Sequence, residues 1–184
     1  MLKYLRGTIA YDLRYTSSDG VNLEGFTDLD WSGSVVDRKS TSRCCFSLGS
    51  AMVSWFNKKQ TFVALSTVEA EYITSYGTSK EAVWLRKLLA VLYGHELDVT
   101  VIFCDNQSFV KLSENFMFHD KSKHMDIQYH YIKDMVKKGV VMVQYISTDE
   151  KIADILTKPL SRVKFAYFCE RLGVVEILFL RKGD

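Results

Sequence analysis

The sequence contains little proline and no long apolar run. Its 184 residues include 1 proline, Pro159, and neither a low-complexity stretch nor an internal repeat. We therefore expect no linker inside the chain and a core of ordinary size. No segment reaches the ~18 consecutive apolar residues of a membrane-spanning helix, and Met1–Asp12 lacks the basic-then-apolar order of a secretory signal. These absences predict an intracellular protein without a membrane partner.

Net charge and cysteine spacing are equally uninformative about partners. The chain has 24 Lys and Arg against 22 Asp and Glu, and the resulting charge of +2 does not by itself indicate nucleic-acid binding. The 4 cysteines include no Cys-x-x-Cys pair. The side chains of the adjacent Cys44 and Cys45 would point to opposite faces of a strand. We expect reduced thiols rather than a disulfide framework.

The first half of the sequence changes from strand to helix periodicity at Ser66. Three strand-like runs separated by short turn signals predict an antiparallel meander: Val21–Asp30, Lys39–Leu48 and Ala51–Asn57. Ser66-x-x-Glu69 then matches a capping box. Apolar residues at helical spacing continue from there to Gly94, so we expect one long helix that ends at this glycine.

The second half predicts a parallel extension of the same sheet. Val99–Cys104 is nearly all apolar and β-branched, as expected for a central strand covered on both faces, and Asp105 follows it directly. The later elements are expected in this order: helix 107–113, helix 126–138 with Asp126 as N-cap, strand 140–146, a helix from 148 or 149 through 157, and helix 161–172. The order predicts an α/β fold with a mixed five-stranded sheet, three antiparallel strands followed by parallel ones, flanked by helices.

Acidic side chains on separate elements suggest a metal site. The four candidates are Asp28, Glu71, Asp105 and Asp154. Hard cations such as Mg²⁺ prefer carboxylate oxygens, and uncompensated carboxylates are costly to bring together without a cation. Two such ions about 4 Å apart can activate a water and stabilise the leaving oxygen in phosphodiester hydrolysis. For any one of these residues a surface or capping role is the ordinary interpretation, and only the combination favours a site.

Local context decides between neighbouring acids. Glu69 has a structural role as the capping-box partner of Ser66, whereas Glu71 lies away from the apolar face of the helix. Asp30 shares a strand face with Asp28 but is closer to the turn. We therefore choose Glu71 over Glu69 and Asp28 over Asp30.

Short runs along almost the whole chain carry a resemblance to a known family. They are Gly25–Gly33, Asp37–Ser42, Ser54–Trp55 with Lys58–Gln60, Ala64–Tyr72 (ALSTVEAEY), Cys104–Ser108, Lys123–Ile127 and Ala153–Leu160 (ADILTKPL). In order and spacing these runs resemble the ribonuclease H domain of copia-type LTR-retrotransposon Pol polyproteins.

The resemblance implies a fold, an activity and partners. It implies a ribonuclease H-like fold that hydrolyses the RNA strand of RNA/DNA hybrids with two Mg²⁺ ions, for which Mn²⁺ can substitute. The partners would be the hybrid and an upstream reverse transcriptase of the same polyprotein, in the cytoplasm within a virus-like particle or in the nucleus. Residues 1–18 resemble the end of the reverse transcriptase or a tether, and 19–184 would form the catalytic domain.

Carried over residue by residue, the family's metal-binding carboxylates match the four acids chosen above, which would be both catalytic residues and metal ligands. Gln107 matches a position that contacts the minor groove of the hybrid, and Ser66 and Thr67 match a position near the substrate backbone. Lys58 and Lys59 are candidate phosphate contacts.

Other interpretations compete with this one. A non-catalytic, repurposed nucleic-acid-binding module is the main alternative. Transposase or integrase chemistry would need an acid about 35 positions after Asp105, where Gly139–Val141 stands. Zinc binding is disfavoured because His124 and His130 are six apart and would not share a helix face. The loop 147–151 contains no histidine, so we expect a slow isolated enzyme whose rate does not show a titrating group near the imidazole pKa of about 6.5.

Large aromatic side chains were a further possible source of nucleic-acid contacts. Trp31, Trp55 and Trp84 could stack on bases, but packing in the core or at its edge is the expected role for residues of this size.

Overall fold

Residues 6, 8–16, 21–31, 33, 36–114, 123–156 and 158–176 are described by the structure, a computed structural model. Its strands, in chain order, are β1 (Tyr11–Leu13), β2 (Leu23–Asp30), β3 (Thr41–Leu48), β4 (Ala51–Lys59), β5 (Thr100–Cys104), β6 (Val141–Tyr145) and β7 (Val174–Glu176). The helices are α1 (Thr67–Tyr93), α2 (Gln107–Glu114), α3 (Lys123–Lys137) and α4 (Arg162–Arg171), with 3₁₀ helices at Thr148–Glu150 and Ile152–Leu156.

The central sheet has five strands in the order β4-β3-β2-β5-β6. β2 and β3 pair antiparallel, as do β3 and β4. β5 lies parallel to β2 on one side and to β6 on the other. The predicted mixed sheet, with antiparallel strands first and parallel strands after the crossover, is confirmed.

The long helix α1 begins and ends where the sequence predicts. The Ser66 side chain accepts a hydrogen bond from the Glu69 amide at 3.1 Å. The Glu69 carboxylate in turn accepts one from the Leu65 amide at 2.6 Å. At the other end Gly94 adopts the left-handed conformation with φ 74°, which a glycine reaches without steric cost. Glu69 is therefore used in capping, which leaves Glu71 free for another role.

Apolar side chains form a core on both faces of the sheet. Cys44 packs with Phe46, Leu85 and other residues on the α1 face, whereas Cys45 packs with Phe168 and others near α4. The predicted opposite orientation of the two cysteines is confirmed. Both thiols are buried and unbridged, and burial raises the pKa of Cys45 to about 12, so neither is a reactive nucleophile.

Two local expectations are wrong. Asp126 lies in the first turn of α3 rather than at its N-cap, and its carboxylate is 3.4 Å from His130 Nε2. The segment after β6 forms two short 3₁₀ helices instead of one α-helix. Trp31, Trp55 and Trp84 are 50%, 61% and 56% exposed, so they lie outside the core, which is compatible with the expected packing at its edge.

A small second sheet joins the two ends of the described chain. β1 pairs antiparallel with β7, and the Arg14 amide donates to the Gly173 carbonyl at 2.8 Å. The Tyr15 hydroxyl donates to the Met52 carbonyl at 2.7 Å. The sequence did not predict this pairing, and the division into 1–18 and 19–184 stays a prediction. Among the described helices, none combines the length and apolar character needed to cross a bilayer.

Candidate active site

The sheet brings two of the predicted carboxylates to the same end of two neighbouring strands. Asp28 lies on β2 and is 1% exposed. β5 is its parallel neighbour, with Phe26 paired to Phe103. Asp28 lies two residues after Phe26 on β2, and Asp105 lies two residues after Phe103, directly beyond the last residue of β5. Parallel pairing therefore places both acids at the same end of the sheet.

The other two carboxylates come from helical elements that cover this end. Glu71 lies near the start of α1 and Asp154 lies in the second 3₁₀ helix. Both are almost completely buried, at 7% and 3% exposure. Thr74 and Thr78, one and two turns after Glu71, face the sheet through hydrogen bonds with Ser42 and Thr27. These contacts fix the rotation of α1 and turn Glu71 inward.

Lys151, which the sequence reasoning did not identify, lies inside the carboxylate cluster. Its ammonium contacts Asp28 Oδ1 and is 2.8 Å from Asp105 Oδ1, and its side chain is only 4% exposed. Burial would lower the pKa of Lys151, but the charges of Asp28 and Asp105 raise it above the ordinary lysine value. The lysine is therefore a fully charged counterion between two strands.

Two further cations neutralise the same group of acids. Arg43, opposite Asp28 in the β2–β3 register, donates to Asp28 Oδ2 at 2.8 Å and to Asp30 Oδ2 at 3.1 Å. Lys158 Nζ is 2.7 Å from Asp154 Oδ1 and 3.8 Å from Asp28 Oδ1. Burial alone would raise the pKa of Asp28, but these cations together with Lys151 lower it. Asp30 is half-exposed, so the structure supports the choice of Asp28 as the buried acid.

Glu71 has the opposite electrostatic environment. Burial raises its pKa to about 7, and the negative charges of Asp105 and Asp28 add to this effect, while Lys151 and a hydrogen bond with Asn106 oppose it. Burial thus brings the pKa of one carboxyl of the metal-free site close to neutral pH. The expectation that the reaction rate shows no group titrating near the imidazole pKa concerns the metal-loaded enzyme and stays a prediction.

The donor chemistry of this cluster fits a hard divalent cation. Its four acids supply only oxygen ligands, the type that Mg²⁺ binds. Among the described residues, no three acidic, histidine or cysteine side chains already stand together as a ready ion cage. Instead, the Lys151 ammonium supplies the positive charge between Asp28 and Asp105. The cluster thus requires a cation, and in this structure lysine provides it.

The predicted substrate-binding residues fall into two separate places. Thr67 and Gln107 line a shallow cavity of about 440 Å³ together with Glu71 and Asp105. Ser66, by contrast, has its hydroxyl engaged in the cap of α1.

Lys58 and Lys59 lie elsewhere, along a groove of about 610 Å³ between the end of β4 and α1. Lys59 Nζ is 2.8 Å from Asp37 Oδ2. The exposed Trp84 and the side chain of Lys80 line the same groove. The lysines therefore do not contact the carboxylate cavity, and a phosphate contact there stays a prediction.

Known proteins of similar sequence include transposon polyproteins. The chain is 42% identical over 174 residues, 95% of its length, to the retrovirus-related Pol polyprotein from transposon TNT 1-94 of Nicotiana tabacum. It is 37% identical over 177 residues, 96% of its length, to those from transposons RE2 and RE1 of Arabidopsis thaliana. The chain spans only 13% of the length of the first of these relatives and 12% of the other two. No protein-family profile matches the chain.

Solved structures of similar shape include ribonucleases H. The N-terminal ribonuclease H domain of a Mycobacterium tuberculosis protein superimposes with a TM-score of 0.53, over 82% of this chain and 98% of that domain, at 11% identity. LC11 ribonuclease H1, solved in complex with an RNA/DNA hybrid, gives a TM-score of 0.51 over 71% of this chain and 88% of that one, at 9% identity. At such low identity these matches establish the fold alone.

Proposed function

The chain is homologous to one segment of the retrovirus-related Pol polyproteins of copia-like plant transposons and has the ribonuclease H fold, and from this premise we propose that it hydrolyses the RNA strand of RNA/DNA hybrids. The observation that carries the proposal is the convergence of four acids beside an open cavity: Asp28, Glu71 and Asp154 are buried, and Asp105, whose side chain is 21% exposed, lines the cavity directly after β5. A fold of this kind does not need buried acids for stability, since replacing charged clusters by apolar residues is often neutral or stabilising. Their presence favours a catalytic use.

We assign the metal ligands as follows. Asp28 and Asp105 would flank both of two Mg²⁺ ions, Glu71 would bind one of them, and Asp154 would complete the second site. When bound, the ions would supply an activated water and compensate charge on the leaving oxygen, and Mn²⁺ would serve in their place.

The residues of the chain prepare the site in distinct ways. Arg43 holds Asp28 in one orientation through its 2.8 Å hydrogen bond. Burial raises the pKa of Glu71 to about 7 in the metal-free protein, so the ionised form that a metal ligand needs becomes more available as the pH rises through this value. Thr67 and Gln107 line the cavity at the substrate side, where a side-chain hydroxyl and an amide can contact the nucleic-acid backbone and the 2′-hydroxyl groups in the minor groove.

The proposed partners follow from the relatives. Those relatives are Pol polyproteins of which this chain matches a small part, so we propose that the domain acts beside a reverse transcriptase of the same polyprotein. LC11 ribonuclease H1 was solved with an RNA/DNA hybrid, which supports this nucleic acid as the substrate. An intracellular location, in a virus-like particle or in the nucleus, is part of the same proposal.

One observation favours the alternative of a non-catalytic binding module. The Lys151 ammonium forms ion pairs with both Asp28 and Asp105. This arrangement is also expected in a protein whose acids do not bind a metal ion. The experiment that decides is incubation of the purified chain with a labelled RNA/DNA hybrid in Mg²⁺ and then in EDTA. A hybrid cut only in Mg²⁺ supports the nuclease, and a hybrid that is bound but not cut in either supports the module.

A further inference from the structure

The side chain of Lys151 occupies the centre of the acid cluster. Its Nζ lies 2.8 Å from Asp105 Oδ1 and also contacts Asp28 Oδ1, and the side chain is 4% exposed. A lysine is rarely buried to this degree unless its charge is paired. The two acids are the ones expected to share the ions, so ammonium and metal need the same pair of oxygens.

From this competition we propose that Lys151 is an internal counterion that closes the metal site: it neutralises Asp28 and Asp105 in the metal-free protein and leaves when a divalent cation binds. The inference rests on the proposed function, because it takes these acids as metal ligands. It assigns to Lys151 control of the metal affinity rather than a part in the chemical step.

The local backbone allows the side chain to leave without unfolding. Lys151 is a single residue between the two 3₁₀ helices, with φ −72° and ψ 91°. Its carbonyl accepts a hydrogen bond from the Asp154 amide at 3.1 Å. The backbone of Lys151 is thus tied to a neighbouring acid of the cluster, while its four-carbon side chain can rotate away.

After the Lys151 side chain leaves, two other cations still compensate part of the negative charge of the acids. Arg43 continues to hold Asp28 Oδ2, and Lys158 remains at 2.7 Å from Asp154. Loss of Lys151 would therefore leave Asp28 partly compensated, whereas Asp105 would lose the only ion pair that the structure records for it among the described residues. The oxygens of Asp105 would then be the most available to a metal ion.

The competition between Lys151 and the metal ion determines how much the metal affinity should change when the lysine is removed. A ligand that binds only the open form has its apparent affinity lowered by the fraction of molecules in that form. If Lys151 keeps nine-tenths or more of the metal-free molecules closed, its removal tightens metal binding by about 10-fold or more.

The experiment measures Mn²⁺ binding to the full chain by electron paramagnetic resonance of the free ion, which needs no nuclease activity. Lys151→Met and Lys151→Gln remove the ammonium, and the glutamine variant retains a polar group if the methionine variant folds poorly. Lys164→Met is the matched control, because Lys164 pairs with Asp149 at 3.3 Å outside the cluster. We expect about 10-fold tighter binding in both Lys151 variants and unchanged binding in the control.

Thermal unfolding provides a second measurement. In EDTA both Lys151 variants should melt below the wild type, and Mg²⁺ should raise their melting temperature by more than it raises that of the wild type. If the Lys151→Gln variant binds Mn²⁺ no more tightly than the wild type, the inference is overturned, even if the wild type cuts a hybrid. If binding tightens but no variant cuts, the counterion role stands and the proposed nuclease function fails.

Discussion

Glu71 makes the stability of the metal-free protein depend on pH in a direction that can be measured. Its pKa is raised from 4.5 to about 7, mainly by burial. Below about pH 4.5 the carboxyl is protonated in both the folded and the unfolded chain, so it does not change the free energy of unfolding with pH. Between the two pKa values the unfolded chain releases the proton while the folded chain keeps it, so unfolding becomes more favourable as the pH rises. Above about pH 7 Glu71 is ionised in both states, and the folded state then bears the full free-energy cost of its buried charge.

The size of this penalty follows from the shift in pKa. Each unit of difference is worth about 1.4 kcal/mol, so ionisation of Glu71 costs the folded state up to about 3 kcal/mol at pH 8. Glu71→Gln removes the titrating group. We expect the stability of this variant relative to the wild type to increase by up to about 3 kcal/mol between pH 4.5 and pH 8.

Urea unfolding in EDTA at a series of pH values measures this difference. Glu69→Gln is the matched control, because it makes the same carboxyl-to-amide change in the same helix turn but at a residue that acts in the cap rather than in the acid cluster. Parallel pH profiles for the wild type and Glu71→Gln would refute the argument, since they would mean that burial does not raise the pKa of Glu71.

Three further predictions concern the site and the fold. Asp28→Asn should reduce Mg²⁺-dependent cleavage of a hybrid to background while the circular dichroism spectrum is retained. Asp30→Asn changes a half-exposed acid and should keep most of the activity. Equal activity in the two variants would contradict the assignment of Asp28. Gln107→Ala should lower the rate of hybrid cleavage by about 10-fold, which corresponds to the loss of one hydrogen bond. The wild type should cut an RNA/DNA hybrid in preference to duplex DNA, and equal cutting of the two duplexes would argue against minor-groove recognition. Gly173→Ala should destabilise by about 2–4 kcal/mol in urea unfolding, because its φ is 71° and a Cβ would lie 2.5 Å from a neighbouring side chain. Gly139→Ala, with φ 66° but nothing within 4 Å, should cost only about 1 kcal/mol, and equal costs would contradict the steric argument.

Elements governed by local signals could be predicted from the sequence. The capping box at Ser66 and the glycine at Gly94 determine the ends of α1, since their hydrogen bonds form within a few residues along the chain. Alternating and continuous apolar runs determine which strands are antiparallel and which are central. The choice of Glu71 over Glu69 followed from the same local reasoning, because a carboxylate used in a cap is unavailable to a distant site.

Features that depend on contacts between distant residues were missed or left open. The sequence did not decide between the core and its edge for the tryptophans, because their exposure depends on which neighbours the fold places beside them. The pairing of β1 with β7 joins segments at opposite ends of the chain, and each strand is too short to show a pattern of its own.

The sequence by itself determined the fold class and the four candidate acids, because periodicity, caps and carboxylate chemistry are properties of the residues and their spacing. Only the tertiary structure decided the charge state of the site. The pKa of Glu71 depends on burial and on charges from β2 and β5, and the pairing of Lys151 depends on a loop folding back over those strands. Electrostatic energies vary with distance and burial in three dimensions, and neither quantity can be derived from positions along the chain.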